Sequence, residues 1–484
     1  VRIRRWSRGR GRSAVLTGAL AGVLCLGLAG CDGGTGAQPG PILHSSSASS
    51  PTPQPTSLTF GVYGPKDEQT AFERVVNAFN ATSQDSQVQL HSWPTHDAMI
   101  SELRKASAGG QELPDVFMVS RSDLAWLQQQ QLTQPVDELL DERGVDFGDG
   151  YARSALEAFS ADNRLQCMPY SISPMVIYYN KDLIDFARMA ERGLDAPDPE
   201  SDNPRWTFEQ FTAAAKFATH PRKGTRGVYV SPSLNGLAPF IYSGGGSLFD
   251  DEQNPTSLAF SASGTQDALN RVLPLLRNPH LTLTQRQLAT ASPLQWFERG
   301  KLGMIAGYRS LVPRLRRVPG LDFDVMPMPI LDSSATVGNV TGLCLSADAA
   351  STPEAADFLV HVLSTEQVAQ VAHTGYLVPT NLEAAAGEDF LQPGRQPEDA
   401  RVFTSSERYV HFMPLIDTMT RLEQVVGGEL NELVTVPVLD LAQLGAQIDA
   451  QSRSVLAPAS PSPSPSDSSS PSPSPSSTDS PSAG

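Results

Sequence analysis

The chain has 484 residues, enough for more than one full-sized core, and 40% hydrophobic beside 18% charged content fits a globular protein carrying polar tracts. Its 52 acidic residues outnumber 36 lysines and arginines, for a formal net charge of −16. That balance excludes nucleic acid and anionic substrates as default partners, because like charge repels them at long range.

Taken in order, the chain opens with Arg2, Arg4, Arg5, Arg8, Arg10 and Arg12, then an apolar run over 14–28 that ends in Leu28, Ala29, Gly30 and Cys31. A basic start, an apolar middle and small residues before a break read as a secretory leader over 1–30. The ending resembles the bacterial lipobox, in which the cysteine, here Cys31, is acylated. That implies a lipid anchor in the cell membrane and a body on its extracytoplasmic face. The competing reading, an uncleaved span, needs a longer run. Arg4 and Arg5 leave a twin-arginine signal open, although their flanks fit it poorly. Residues 31–56 are rich in Gly, Ser and Pro without periodicity and read as a flexible tether. At the other end, 457–484 is a Ser/Pro tail that cannot bury a core.

The folded part begins with a strand over 58–63, closed by Gly64 and Pro65. Ala71, Phe72, Val75, Val76 and Phe79 recur at helical spacing after it. A strand follows over 87–93, then a helix through Ala98, Met99, Leu103 and Ala106 stopped at Gly109 and Gly110, then a strand over 114–119 and a helix from about Ser122. Strand–helix repeats at this pitch predict right-handed βαβ units and a largely parallel sheet. The segment 165–183 holds two extended stretches, 165–171 and 175–179, stiffened by Pro169 and Pro174, and reads as a hinge between two α/β units.

In the second unit, 188–205 reads as a charged, proline-bearing loop, and Thr207 with Gln210 as a capping box opening a helix. Strands are expected over 227–230, 303–306, 323–326 and 342–346. Helices are expected over 237–242, 263–276, 293–300, 353–363 and 366–373. Residues 408–456 read as mostly helical, broken at Pro414, at Gly427 with Gly428, and at Pro437.

Several segments in this order resemble the solute-binding proteins of sugar ABC importers, the maltose-binding family. They are the helix 71–80 ending in Ala78, Phe79 and Asn80; Leu113 through Phe117; Met168, Pro169 and Tyr170, followed by Tyr179, Asn180 and Lys181; Trp206 through Glu209; Trp296 through Ile305; and Pro353 through Leu359. The resemblance covers about 57–456. It implies an α/β fold of two discontinuous lobes joined by hinge strands, a periplasmic-binding-protein-like architecture with a ligand cleft at the strand C-termini. Lobe 1 would comprise 57–171 and 342–400, lobe 2 172–341 and 401–456, with crossings near 170–174, 339–342 and 397–409. It further implies a monomer that binds a small solute, a sugar or oligosaccharide, closes about the hinge and hands the solute to ABC permease subunits. The competing readings are a non-sugar solute, or a signalling or cell-envelope receptor without transport.

Catalytic patterns are absent from the sequence: it has no His-Glu-x-x-His, no Cys-x-x-Cys and no Gly-x-Ser-x-Gly. Neither an enzyme nor a metal or cofactor site is expected. For binding, loops after strands face such a cleft. They offer Tyr63 and Lys66 after the first strand and Ser120, Arg121, Ser122 and Asp123 after the third, the last two being equally suited to a helix start. The crossings offer Tyr170, Ser171, Ser173, Asn339, Thr341 and Gly342. Lobe 2 offers Ser233, Asn235, Tyr308 and Arg309, and Tyr376 sits on the hinge side. Trp206, Tyr242 and Trp296 are alternative stackers for which core packing is the simpler role. The resemblance also sets the strands of Cys167 and Cys344 side by side and antiparallel, so a disulfide is expected; two buried free thiols are the alternative.

Overall fold

The computed structural model describes residues 55–198, 201 and 204–457. The leader, Cys31, and all but the edges of the tether and the Ser/Pro tail lie outside the described residues.

The strand Thr56–Tyr63 is parallel to Ser86–Trp93 on one side and to Val116–Ser120 on the other. Between the first two runs the helix Lys66–Thr82, which buries Ala71, Phe72, Val75, Val76 and Phe79 on one face. The helix His96–Ala108 leads from the second strand toward the third and buries Met99 and Leu103. A long strand, Thr336–Ser346, completes this seven-stranded sheet: it is antiparallel to Val116–Ser120 and to Met168–Pro174, and its start pairs in parallel with Val410–His411.

The sequence predicts only 342–346 of that strand. Its first half is held extended by Met168–Pro174, a partner remote in sequence that no local pattern announces. The ladder ends with Leu343 opposite Met168, so Cys344 and Cys167 come next; their Cα atoms are 4.3 Å apart and their sulfurs are bonded.

The chain passes through Met175, whose N–H donates to the Val337 carbonyl, into a second sheet. Its order is Phe323–Met326, Val176–Asn180, Leu302–Gly307, Arg226–Tyr229, with Val176–Asn180 antiparallel to both neighbours. Both faces of this sheet are covered. Ile177 and Tyr179 join a core with Phe211, Phe240 and Leu269, whereas Val176 and Tyr178 join the core that continues into the first sheet. Burial on both faces explains why the Val176–Asn180 strand is apolar without alternation.

Two local expectations fail. The helix Phe186–Glu191, capped by Asp185, occupies the start of the expected 188–205 loop. Gly427 and Gly428 do not break the last helical region but lie inside the helix Met419–Thr435. Two interior glycines cost about 1 kcal/mol each. Burial of Leu422, Val426, Leu430 and Leu433 on one face, at roughly 1.5–3 kcal/mol per side chain, outweighs that.

Candidate functional site

The parallel strands of the first sheet end at Tyr63, Trp93 and Ser120, and Leu302–Gly307 of the second sheet ends just before Tyr308. Between these ends lies a cavity of about 610 Å³, a size suited to a small ligand. Of the residues predicted from the sequence, Tyr63, Ser120, Ser122, Tyr170 and Ser173 line it. So do Ser171, Tyr308, Asn339, Thr341 and Tyr376.

Its floor is the crossing. Pairing between Met168–Pro174 and Thr336–Ser346 shifts register there: Pro169 faces Gly342 and Ser171 faces Thr341, leaving Tyr170 as the extra residue of a bulge. A bulge re-aims the side chain it frees. The Tyr170 ring packs near Phe72, and its hydroxyl, in a side chain only 1% exposed, has no hydrogen-bond partner. Next to it the Ser171 and Thr341 hydroxyls are 2.7 Å apart. Tyr308 is fixed through its backbone, since its carbonyl accepts the Tyr178 hydroxyl at 2.7 Å and the following N–H donates to the Ser173 hydroxyl at 3.2 Å.

Other predicted residues are placed elsewhere. Lys66 is exposed and pairs with Glu73. Arg121 stacks on Phe412 and donates to the carbonyls of Ala158 and Met413, which occupies its guanidinium. Asp123 stands behind the cavity wall, accepting the Ser120 N–H in a capping box. Ser233 caps the helix Leu234–Ser243, and Asn235 is exposed beside it. Arg309 is wholly buried between the rings of Phe390 and Phe403, and burial pushes its guanidinium down to about 10. A side chain on Gly342 would strike the Phe159 ring at 2.8 Å, so this glycine serves a close approach. The alternative stackers also serve packing or support: Trp206 is buried with its indole N–H on the Pro327 carbonyl, Trp296 donates to Gln287, and Tyr242 lies flat against His411.

Lining residues that the sequence did not point to include Glu68 and His96, along with Pro94, Thr95 and Met118. His96 follows the second strand, and the rule that loops after strands face the cleft would have found it there. Its Nε2 is 2.7 Å from Asp123 and its Nδ1 3.3 Å from Asp97. Burial alone would lower this imidazole, but the two carboxylates hold it above its ordinary range. Glu68 lies in the first turn of Lys66–Thr82, and no sequence pattern marks it as facing a cavity.

The Glu68 carboxylate sits against Gly64, where a Cβ would lie 2.4 Å from its oxygen, and it accepts no hydrogen bond among the described residues. Burial pushes it up to about 8. Burial, then the nearby Asp123 and Glu68 charges, raises the Tyr63 phenol; burial and then Glu68 raise that of Tyr170. No lysine or arginine lines the cavity, and no group of three metal-ligating side chains occurs among the described residues.

Two α/β sheets joined by crossing strands, with a cavity at the strand ends between them, define a two-lobe binding protein of the periplasmic type. The chain belongs to the family described as bacterial extracellular solute-binding protein, which it matches over residues 74–395. Among solved structures it is similar to the sugar-binding protein MalE of Xanthomonas citri (TM-score 0.68, 16% identity, covering 83% of this chain and 98% of that one). It is also similar to a Listeria monocytogenes ABC substrate-binding protein in complex with cycloalternan (0.66, 19%, 82% and 98%). A third is the cyclic alpha-maltosyl-1,6-maltose binding protein of Arthrobacter globiformis (0.66, 18%, 83% and 99%). No curated protein matches the chain.

Proposed function

We propose that this protein captures a sugar or oligosaccharide outside the cytoplasm and delivers it to the permease of an ABC importer. The observation that carries the reading is the cavity itself: tyrosine rings for a sugar face, and hydroxyls and an amide for its hydroxyl groups. The solved structures of similar fold include several named for carbohydrates they bind, which supports the same class of ligand.

Capture would proceed by closure. The lobes are 57–171 with 342–400, and 172–341 with 401–456, and ligand held by both shifts the protein toward its closed form. Tyr63, Ser120, Ser122 and Tyr376 would contact ligand from one side and Tyr308 from the other, with Tyr170, Ser173 and Asn339 at the base. Cys31 would carry the lipid that anchors a monomer at the membrane. No helix among the described residues is long and apolar enough to cross a bilayer.

A thermal-shift screen over mono- and oligosaccharides tests the reading, since a ligand bound only by the native state raises the melting temperature, by about 2.7 kcal/mol of stability at a hundredfold excess over Kd. A flat response to every carbohydrate, with a shift for a peptide or polyamine, would refute the sugar assignment.

A further inference from the structure

We infer that Glu68 makes this cleft selective for an amino sugar, a saccharide unit whose protonated amine is held on the Glu68 carboxylate. The inference rests on the sugar reading above and adds the charge of the ligand.

Four observations converge on it. The carboxylate lines the cavity yet accepts no hydrogen bond, and it is seated against the one residue, Gly64, that lets it approach. Tyr170, nine-tenths buried and more, lines the same cavity, and its hydroxyl has no hydrogen-bond partner among the described residues. Among the described residues no lysine or arginine lines the cavity to neutralise Glu68. His96 is held by Asp97 and Asp123, and Arg317 is held at the edge by Asp67 and Tyr376. Finally, the net charge of −16 favours approach of a cation.

A neutral hydroxyl can share a hydrogen bond with this group but offers no charge to its ionised form. An ammonium offers both, and a charge-assisted hydrogen bond is about twice as strong as a neutral one. Burial raises the empty carboxyl to about 8, so an ammonium, which favours its ionised form, is expected to bind with proton release. The other groups facing Glu68 are the phenols of Tyr63, Tyr170 and Tyr376, all raised and therefore neutral at this pH.

The test compares glucose and N-acetylglucosamine with glucosamine and the 3-amino and 6-amino glucoses, and cellobiose with its fully deacetylated diamino counterpart. Affinities come from titration calorimetry at pH 7 in two buffers of different ionisation enthalpy, which also counts protons. At least one amine should bind roughly tenfold or more tighter than its neutral partner and release about half a proton or more. In E68Q, checked for folding by its melting curve, the amine-to-neutral ratio should fall to near one and the proton release should vanish; His96, unchanged in that variant, cannot account for the loss.

Neutral sugars binding as tightly as every amine, or an amine preference that survives in E68Q, would overturn the inference while leaving the sugar reading in place. No binding by any sugar would overturn both. Where E68Q fails to fold, the amine-to-neutral affinity ratio of the unaltered protein decides the matter, a ratio near one overturning the inference.

Discussion

Replacing Cys167 and Cys344 together by alanine tests the crossing directly. The bridge spans 177 residues of sequence and closes a loop that contains the whole second sheet. In the loop-closure treatment a loop of that length restricts the unfolded chain by about 5 kcal/mol at 25 °C, and measured values for native disulfides are more often about 2–4. Both sulfurs are fully buried, so their removal adds a small packing loss. With about 400 described residues, the entropy of unfolding near 60 °C is roughly 0.8 kcal/mol per degree, so a loss of about 4 kcal/mol lowers Tm by roughly 5 °C. Scanning calorimetry of the C167A/C344A protein against wild type measures this, with thiol alkylation under denaturing, non-reducing conditions as the control. A Tm within 1 °C of wild type, or alkylation mapped to Cys167 and Cys344 in the unreduced wild-type protein, would refute the argument.

Three further outcomes are expected. Tyr308→Ala keeps the carbonyl that accepts the Tyr178 hydroxyl but removes one of two cavity side chains contributed beyond the second sheet's strands, so affinity for a sugar identified by screening should fall roughly tenfold with little change in Tm; unchanged affinity in calorimetry means the cleft is misassigned. The same Gly→Ala change should have opposite signs at two sites: at Gly227 the new Cβ would lie 2.1 Å from the Ala215 carbonyl oxygen and cost about 2–3 kcal/mol, whereas at Gly428 it meets open space inside a helix and should add about 0.5–1 kcal/mol, both read from denaturant midpoints. Burial raises the Asp324 carboxyl to about 6, so the native state binds the extra proton and stability is lost as pH rises from the ordinary carboxylate range through 6. Asp324→Asn can still accept the N–H groups of Val325 and Asp399; it should match wild type near pH 4 and exceed it by roughly 2 kcal/mol at pH 7, and a gap that does not widen with pH would exclude this origin.

Much of the architecture was legible because it is written in local periodicity. Ala71 to Phe79 mark one helical face, Thr207 and Gln210 cap a helix, and 175–179 reads as an extended stretch. The site was legible where a rule of position applies: Tyr63, Ser120 and Tyr308 follow strands, and strand ends face a cleft. Where side chains have competing uses, position was not enough. Arg121 and Arg309 follow strands equally well, but one is taken up by backbone carbonyls and the other is enclosed by Phe390 and Phe403.

By itself, then, the sequence determined the order and type of most elements and the hinge at Pro169 and Pro174, because these depend on residues a few positions apart. Only the tertiary structure decided the eleven-residue length of Thr336–Ser346, the bulge that turns Tyr170 into the cavity, and the helix that runs through Gly427 and Gly428. Each is settled by a partner distant in sequence. Glu68 shows the same limit: nothing near it sets it apart from the other acids, and its raised carboxyl comes from burial among residues that only the fold brings around it.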